Sequence, residues 1–354
     1  MNYAPSAKPQ PVVKAGEFKF AAAFLDHGHI NGQCNGLVEA GGELVAIYDT
    51  AEDRALALQK RFPNAKIVSR YEDILEDPSI HLVAAAAIPS ERARFGIQAM
   101  EAGKDYFTDK CPMTTLEQLA DVRKAVETTG KKYLVYYSER VHVESAWHAG
   151  DLIADGAIGD LVHINIMGPH RLSLPSRPDW FFKKENYGGI LTDIASHQCD
   201  QFLAYTGAKG GEVLSARVEN FANPEKPELE DFGEALFKLD NGTSCYSRVD
   251  WFTPDGLRNW GDGRTFIVGT KGFIEIRKYI DLGVGDGNVL TLVDGQKEHR
   301  MELSGKVGFP FFGKLILDVL NRTENSMTQE HALMAAELSL RAQKIADASR
   351  QRAE

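Results

Sequence analysis

The sequence is poor in cysteine, lacks long apolar runs and has no excess of positive charge. Its four cysteines are far apart, so neither a zinc knuckle nor a disulfide framework is predicted: Cys34, Cys111, Cys199 and Cys245. The longest clean apolar run, LVAAAAI at 82–88, has seven residues, which suits a buried strand and is far too short for a membrane span. The formal net charge of -10 argues against a nucleic-acid ligand, because phosphates require a basic surface.

The first residues, MNYAPSAKPQPVVKAG, contain prolines and lysines but no apolar core of a signal peptide. We therefore expect a flexible arm over 1–16 and, with isolated cysteines that suit a reducing compartment, a cytoplasmic location. A length of 354 residues exceeds one ordinary compact core and predicts two domains.

Residues 17–137 alternate short β-rich runs with amphipathic helix-length segments. The runs are FKFAAAFL (18–25), ELVAIYD (43–49), HLVAAAAI (81–88), KDYFTD (104–109) and KKYLVYY (131–137). Alternation of this kind predicts a doubly wound α/β domain, with a parallel sheet covered on both faces by helices. Thr114 or Thr115 is expected to cap the helix over 115–130, and Gly130 to end it.

Residues 138–354 predict an α+β domain with a mostly antiparallel sheet. Helices are expected at 143–155 and near 190–204, with a strand at 161–168. The segment 232–252 reads as two strands around an Asp-Asn-Gly turn, and 266–277 reads as a second hairpin. Two helices, 309–320 and 329–349, are expected to close the chain.

The turn after the first strand, Asp26-His27-Gly28-His29-Ile30-Asn31, keeps only the middle glycine of a dinucleotide-binding G-x-G-x-x-G motif. That glycine lets backbone N–H groups approach a pyrophosphate, and Asp and Asn tolerate unusual backbone conformations better than other residues. Asp26 would repel a pyrophosphate if it pointed inward; pointing away or capping the helix is the alternative. Asp49, 21 residues after Gly28, is the expected acceptor for ribose hydroxyls, which favours NAD over NADP. An ordinary helix-start Asp is the alternative interpretation.

Two further stretches carry a resemblance to a known family: GKDYFTDKCPMTTLEQL (103–119) and YGGILTDIASHQCDQFL (187–203). Over roughly 17–350 the chain resembles the glucose–fructose oxidoreductase / inositol dehydrogenase / MocA (Gfo/Idh/MocA) family. The Glu-Lys-Pro motif of that family corresponds to Asp109, Lys110 and, one residue late, Pro112. Its glycine-led Asp-x-x-x-His signature corresponds to Gly188, Gly189, Asp193 and His197, with Asp200 following.

The resemblance implies a Rossmann domain followed by an α/β domain with an open sheet that often packs against another subunit. It also implies an NAD(P)-dependent oxidoreductase of sugars, cyclitols or related alcohols, with Lys110 as the active-site lysine and Asp193 and His197 as the substrate-side pair. The chain departs from the family at Cys111, which separates Lys110 from Pro112, and at Tyr187, where a third glycine is common. Its phosphate turn is also depleted in glycine.

The residues themselves support this chemistry. Asp193, His197 and Asp200 are spaced i, i+4, i+7 and share one face of an otherwise apolar helix. Oxidising a secondary alcohol removes a hydride from carbon and a proton from oxygen, and a histidine with a pKa of about 6.5 is suited to take that proton. Lys110, at the carboxyl end of a parallel strand, could stabilise the alkoxide. A structural His–Asp pair is the alternative, and no third ligand suggests a metal site there.

Further candidates lie near expected strand ends. The predicted cofactor contacts are His27, Gly28, His29, Ile30, Asp49, Ile88, Pro89, Arg92, Asp109 and Lys110. The predicted substrate contacts are Lys110, Arg140, His142, His170, Arg171, Trp180, Asp193 and His197. Trp260 and Arg264, in DGLRNWGDGR (255–264), suit a substrate loop or a subunit contact. Core filler, surface charge and helix starts are the alternative interpretations of these residues.

The leading hypothesis is therefore an NAD-dependent dehydrogenase or reductase of a sugar, glycoside or cyclitol, forming a homodimer or homotetramer through its C-terminal sheet. No metal, nucleic acid or membrane is expected as a partner. One alternative is an enzyme that oxidises its substrate transiently, cleaves a bond by elimination and re-reduces the product. Another is a non-catalytic nucleotide-binding sensor.

Overall fold

The computed structural model describes residues 3–5 and 8–350 and divides the chain into two compact units. The first unit comprises Pro9–Tyr136 and Phe309–Leu333. The second comprises 137–308 and 334–350, together with 3–5 and 8. The sequence assigns 309–333 to the second domain, whereas the structure groups it with the first.

The predicted N-terminal arm, 1–16, includes residues 1, 2, 6 and 7, which lie outside the described part of the chain. Within the remainder of the arm, Val12 donates its backbone N–H to the carbonyl oxygen of Ala40 at 3.0 Å.

The first unit contains a six-stranded sheet whose neighbouring strands all run parallel, in the order β3-β2-β1-β4-β5-β6. The strands are β1 (Lys19–Ala23), β2 (Glu43–Tyr48), β3 (Lys66–Ile67), β4 (Leu82–Ala85), β5 (Asp105–Asp109) and β6 (Tyr133–Tyr136). β4, β5 and β6 are buried throughout, as expected for strands covered by helices on both faces. The strand order reverses between β1 and β4, which is where doubly wound folds bind ligands.

Five helices connect these strands, and a sixth comes from the C-terminal part of the chain. They are α1 (Ile30–Glu39), α2 (Glu52–Arg61), α3 (Tyr71–Leu75), α4 (Arg92–Glu101), α5 (Leu116–Thr129) and α11 (Pro310–Asn321). The predicted ends of α5 are confirmed: the Thr115 hydroxyl accepts the N–H of Gln118 in a capping box, and Gly130 takes the left-handed conformation. A short 3-10 helix, Pro89–Glu91, precedes α4.

The second unit is built on an eight-stranded sheet in the order β16-β15-β12-β11-β7-β10-β9-β8. Its strands are β7 (Leu161–Pro169), β8 (Gly211–Glu219), β9 (Phe232–Leu239), β10 (Ser244–Asp250), β11 (Arg264–Gly269), β12 (Gly272–Arg277), β15 (Val289–Val293) and β16 (Glu298–Glu302). β13 (Ile280–Asp281) and β14 (Gly285–Asp286) form a separate pair. All pairs of the large sheet are antiparallel except β7 with β10, which confirms the predicted sheet type.

Both predicted hairpins are confirmed. β9 and β10 pair around the Asp-Asn-Gly turn, where Gly242 has a φ of 89°, and β11 pairs with β12. Burial alternates along β9 and β10, so one face of the sheet packs into the core.

The helices of the second unit are α6 (Ser138–Val141), α7 (Glu144–Ala154), α8 (Lys184–Tyr187), α9 (Ile190–Asp193) and α10 (Ala195–Thr206); α12 (Gln329–Arg350) begins in the first unit and continues into the second. Two 3-10 segments, Leu174–Ser176 and Asp179–Phe182, lie in the connection after β7. The sequence predicts one helix near 190–204, whereas the chain is interrupted at Ile194, between α9 and α10. None of the helices described is both long and apolar enough to cross a membrane.

Candidate functional site

The turn after β1 leaves room for a ligand at Gly28. A Cβ added to Gly28 would meet no atom within 4 Å, and the backbone there is not in the left-handed region. Neither packing nor backbone strain therefore explains the absence of a side chain at this position. An uncrowded backbone before a helix N-terminus is the arrangement that lets a pyrophosphate approach closely.

The close helix packing that the third glycine of the motif normally supplies comes from residues that the sequence reasoning missed. A Cβ at Gly32 would lie 2.5 Å from the Tyr136 Oη, and one at Gly36 would lie 2.3 Å from the Phe312 ring. The two glycines are four residues apart and share one face of α1. That spacing of small residues is the sequence signal that could have identified them.

His27 and His29, on either side of Gly28, both turn toward Asp109 at the end of β5. The His27 Nδ1 lies 2.9 Å from Asp109 Oδ2, and the His29 Nδ1 lies 2.8 Å from Oδ1. Burial, with His29 next to it, lowers the pKa of His27 to about 4, so His27 is neutral at pH 7. Burial opposes ionisation of Asp109, but His29, Arg92 and His27 hold the pKa of this carboxyl well below its usual range.

Arg92, a predicted cofactor contact, is almost fully buried and binds the backbone around Lys110. Its guanidinium donates to the carbonyl oxygens of Ala87 at 2.7 Å, of Lys110, and of Cys111 at 2.8 Å, and to Asp109 Oδ2 at 3.2 Å. The Lys110 N–H in turn donates to Asp109 Oδ1 at 2.8 Å. Arg92 thus fixes the backbone of the segment that carries Lys110. Lys110 is itself buried, and the Lys110–Cys111 peptide bond is cis.

Asp49 and Asp26 share one cation, Arg54, which the sequence reasoning did not identify. Asp49 Oδ1 accepts the N–H of Ala51 at 2.7 Å and the Arg54 Nη2 at 2.7 Å, while Oδ2 accepts the N–H of Leu25 at 2.6 Å. Asp26 lies 3.1 Å from Arg54 Nη2. Burial raises the pKa of Asp26, against the attraction of Arg54. Asp26 therefore faces Arg54, and Asp49 binds the backbone N–H groups of Ala51, just before α2, and of Leu25, in the turn after β1.

Three more predicted cofactor residues take ordinary backbone positions in the first unit. Ile30 begins α1, and Ile88 and Pro89 begin the 3-10 helix after β4. Pro89 is buried, whereas Ile88 is half-buried.

In the second unit, Asp193 ends α9 and His197 lies in the first turn of α10, and both are buried. The Tyr137 ring lies 6.4 Å from the His197 ring, edge to face. Burial lowers the pKa of Arg177, and the nearby carboxylate of Asp193 opposes this shift. Arg177 also lies 4.4 Å above the ring of Phe181 and was not identified from the sequence.

Several predicted substrate residues are occupied by contacts within the second unit. Arg140 forms a bidentate pair with Asp200, with both N–O distances 2.7 Å. Arg171 donates to the carbonyl oxygens of Pro254 at 3.1 Å and Asn259 at 2.9 Å, and so supports the glycine-rich loop. His142 follows α6 and is half-buried, and Trp180 lies in the 3-10 segment next to Phe181.

His170 belongs to an aromatic group with partly exposed members. Its ring lies 4.6 Å from that of Trp260 and 5.5 Å from that of Trp251, and the Trp260 ring lies 4.4 Å from that of Tyr279. Arg264, the other residue of the loop picked out from the sequence, pairs with Asp262.

Next to His170 lies a buried carboxylate that the sequence reasoning missed. Glu139 Oε2 accepts Lys278 Nζ at 2.9 Å and Gln198 Nε2 at 3.1 Å. Glu139 Oε1 has no hydrogen-bond partner among the described residues, and His170 Nε2 lies 3.8 Å from it. Burial opposes ionisation of Glu139, but Lys278, His197 and His170 lower its pKa to about 2. Lys278, directly after the alternating strand 266–277, was the sequence signal that could have indicated a buried acidic partner.

Profiles of two domain families match this chain. Residues 17–137 match an oxidoreductase family with an NAD-binding Rossmann fold, and residues 147–275 match the GFO/IDH/MocA C-terminal domain. Together the two matched segments cover most of the chain and both units.

Similar proteins agree with these matches. A crystal structure of a candidate oxidoreductase from Erwinia carotovora atroseptica is 45% identical, with a TM-score of 0.91, over 93% of this chain and 99% of that one. Levoglucosan dehydrogenase from Pseudarthrobacter phenanthrenivorans is 27% identical over 58% of this chain and 52% of its own length. An NADP(+)-dependent scyllo-inositol 2-dehydrogenase from Bacillus subtilis is 26% identical over 51% of this chain and 48% of its own.

The chain thus spans about half the length of the curated relatives it matches. The crystal structure from Erwinia, by contrast, matches along nearly its whole length and at an identity well above that of the curated relatives. With profiles matching both units, the chain belongs to the Gfo/Idh/MocA family of oxidoreductases.

Proposed function

We propose that this protein transfers a hydride between NAD(H) and a secondary hydroxyl of a sugar, glycoside or cyclitol. The observation that carries the proposal is the turn after β1, which has open space at Gly28 and lies at the point where the strand order of a doubly wound sheet reverses. A Cβ at Gly28 would meet no protein atom within 4 Å, so a ligand could approach the backbone closely at this position. When bound, the nicotinamide cofactor would accept or donate the hydride.

The residues around the turn would hold the cofactor in different ways. Gly28 and the N-terminus of α1 would bind the pyrophosphate, with His27 and His29 beside it. Arg92 would act indirectly, because its donors are used by Asp109 and by backbone oxygens next to Lys110.

We expect NAD to be preferred over NADP. Asp26 and Asp49 surround a single guanidinium, that of Arg54, so this group has a net charge of -1 when both carboxylates are ionised. An added 2′-phosphate would be repelled by that charge, whereas ribose hydroxyls could donate to the partly exposed Asp26 carboxylate, since the Asp49 side chain is buried with both oxygens occupied. One relative uses NADP(+), so the preference belongs to these residues and not to the family.

The proton chemistry falls to three residues. In the oxidation direction His197 would take the hydroxyl proton as general base, Asp193 would orient the reacting group, and Lys110 would stabilise the alkoxide as charge develops. In reduction the proton would return from His197 to the new hydroxyl. All three residues are buried, where electrostatic interactions are stronger than in water.

A polyol substrate suits the remaining groups of the second unit. The rings of His170, Trp260 and Tyr279 offer an apolar surface for the C–H face of a pyranose or cyclitol. Glu139 Oε1 offers a buried acceptor for a hydroxyl, since no described residue hydrogen-bonds to it. Relatives that act on levoglucosan and on scyllo-inositol, by name, support this substrate class.

We also propose that the protein is a homodimer or homotetramer through the outer face of its large sheet. Phe266, 38% exposed, contacts Phe273 with the ring centroids 5.2 Å apart and the rings tilted by 38°, and it pairs across the sheet with Asn165 and Glu275. A mixed apolar and polar face of this kind suits a specific contact between copies. Sedimentation analysis of the wild type and of Phe266→Glu would test it: the variant should dissociate.

The test of function is turnover by His197→Gln with NAD and a panel of cyclitols, pyranoses and anhydrosugars. A loss of kcat of about 100-fold or more is expected, because general-base assistance contributes that much. His299→Gln, which replaces a histidine paired with Asp294, is the matched control and should retain wild-type kcat.

Full kcat in His197→Gln would remove the role assigned to His197. Two other results would reject the proposal in favour of a competing function. Substrate consumption without net formation of NADH would indicate transient oxidation and bond cleavage. Binding of NAD without turnover of any polyol would favour the sensor.

A further inference from the structure

The phosphate turn holds a group of side chains that its role in binding a dinucleotide does not require. Among the described residues, His27, His29 and Asp109 form a group of three potential metal ligands whose donor atoms all lie within 4.8 Å of one another. The two histidines are separated by Gly28 alone, and Asp109 comes from the end of β5. Two chain segments far apart in sequence thus meet at one point.

Charge balance does not explain the two imidazoles. The fully buried carboxylate of Asp109 already has a cation, because Arg92 Nη2 lies 3.2 Å from Oδ2. A hydrogen bond from the N–H of Lys110 at 2.8 Å supports Oδ1. These two contacts satisfy one acceptor position on each oxygen, and the remaining position of each faces a histidine Nδ1. In one tautomer each Nδ1–H donates to the carboxylate, and in the other each Nδ1 lone pair is free for a metal ion.

The arrangement has the two layers found in metal sites. Ligating carboxylates in proteins are themselves hydrogen-bonded by outer residues that fix their orientation. Arg92 and the Lys110 amide take that position behind Asp109. The two imidazole rings are held edge to face, with centroids 4.3 Å apart and an interplanar angle of 87°, so both present Nδ1 to the same carboxylate.

The distances are close to those of a coordinated ion. Zinc binds imidazole nitrogen and carboxylate oxygen at about 2.0–2.2 Å, which separates tetrahedral ligands by about 3.3 Å. The two nitrogen–oxygen distances are 2.9 and 2.8 Å, so each ring would move outward by about 0.5 Å to admit an ion. The His27 and His29 side chains are 27% and 33% exposed, which leaves solvent access for a fourth ligand.

We propose that His27, His29 and Asp109 form a binding site for one divalent first-row transition-metal ion of the Zn²⁺ or Co²⁺ type, with a fourth position open to water or an anionic oxygen. Two imidazoles and one carboxylate suit these ions, whereas Mg²⁺ and Ca²⁺ prefer oxygen ligands alone. The site adds to the proposed function and does not depend on it, because the ligand set is complete without a dinucleotide.

The test uses the untagged full-length protein, treated with a chelator and dialysed, and Co²⁺ as the probe. Calorimetry would measure stoichiometry and affinity, and visible absorption would report the coordination geometry of the bound Co²⁺. One ion per chain is expected, with affinity reduced about tenfold or more in His27→Gln and in His29→Gln and abolished in the double variant. Glutamine keeps the size and polarity of these partly exposed side chains, and a thermal melt of each variant would check folding.

His299→Gln is the matched control, because His299 Nε2 lies 3.0 Å from Asp294 Oδ2 in a pair with a single histidine. This variant should bind Co²⁺ with wild-type affinity. The inference fails if the wild type takes up no Co²⁺, or if the double variant takes it up as tightly as the wild type. Since no nucleotide or polyol is present in these titrations, their failure is distinct from failure of the proposed oxidoreductase activity.

Discussion

Asp109 in the first unit and Glu139 in the second are both buried carboxylates held ionised by a buried cation, yet they are satisfied to different degrees. Asp109 has a polar partner at two positions on each oxygen, from Arg92, the Lys110 backbone and the Nδ1 atoms of His27 and His29. Glu139 has donors on Oε2 only, from Lys278 and Gln198, and Oε1 has no hydrogen bond from the described residues. A fully satisfied carboxylate organises the backbone around it, whereas one with an open oxygen retains the capacity to accept from a substrate.

The largest effect expected from this comparison is the loss of the cation next to Asp109. Arg92→Met should lower the free energy of unfolding by about 3–5 kcal/mol or more, because it leaves a buried carboxylate and several carbonyl oxygens without donors. Urea denaturation would measure it. Arg94→Met, in the same helix but exposed and paired with Glu91, should change stability by no more than about 0.5 kcal/mol. Equal effects of the two variants would contradict the assigned role of Arg92.

Removing the cation next to Glu139 should lower the free energy of unfolding by about 3 kcal/mol. This loss is smaller than that expected for Arg92→Met, because fewer buried groups lose a partner. Lys278→Met tests this by urea denaturation, and the double variant Glu139→Gln, Lys278→Met should regain most of the loss. Lys271→Met, at an exposed position, is the control. No recovery in the double variant would show that Lys278 stabilises the fold through packing instead of charge.

The pH dependence of stability should also report on Glu139. The pKa of Glu139 is about 2 in the folded protein and about 4.3 in the unfolded chain. Ionised Glu139 therefore contributes its full stabilisation of the fold above about pH 4.3. This stabilisation should disappear as pH falls from about 4.3 through 2, and Glu139→Gln should remove this part of the dependence. An unchanged acid profile in the variant would mean that Glu139 is not ionised in the folded state.

A smaller effect should separate the glycines of the turn and of α1. Gly32→Ala and Gly36→Ala should each destabilise the protein by about 1–3 kcal/mol, because a methyl group would overlap Tyr136 or Phe312. Gly28→Ala should be neutral or stabilising by up to about 1 kcal/mol, since the added Cβ meets no atom and the backbone is compatible with alanine. Thermal melts of the three variants would show whether the two classes differ.

The elements of the fold were predictable where the sequence pattern is local. The buried parallel strands, the Thr115 and Gly130 helix ends and the Asp-Asn-Gly hairpin follow from apolar runs, capping residues and turn chemistry within a few residues. The two-residue strand β3 was missed, because so short a strand forms only through pairing with its neighbour, and the bounds of β15 and β16 were not predicted individually. The interruption at Ile194 was missed because the apolar pattern of 190–204 continues through it.

For the candidate site, residue types were predictable but partners were not. Nothing near Asp49 in sequence shows that Asp26 shares Arg54 with it, and nothing near Glu139 shows that Lys278, 139 residues later, neutralises it. Arg92 was predicted as a cofactor contact from its position after β4, whereas its burial and its bonds to Lys110 and Cys111 depend on tertiary packing. Long-range pairing of charges is what the sequence alone does not specify.

We expect the glycine-depleted turn to bind a dinucleotide, because Gly28 keeps the backbone of the turn accessible. Calorimetric titration of the cofactor-stripped wild type and Gly28→Ala with NAD tests this most directly. Saturable binding of one NAD per wild-type chain is predicted, together with a loss of affinity of about tenfold or more in a variant that remains as stable as the wild type. Absence of NAD binding to the wild type, or equal affinity of the two proteins, would show that Gly28 does not serve the turn as a dinucleotide contact.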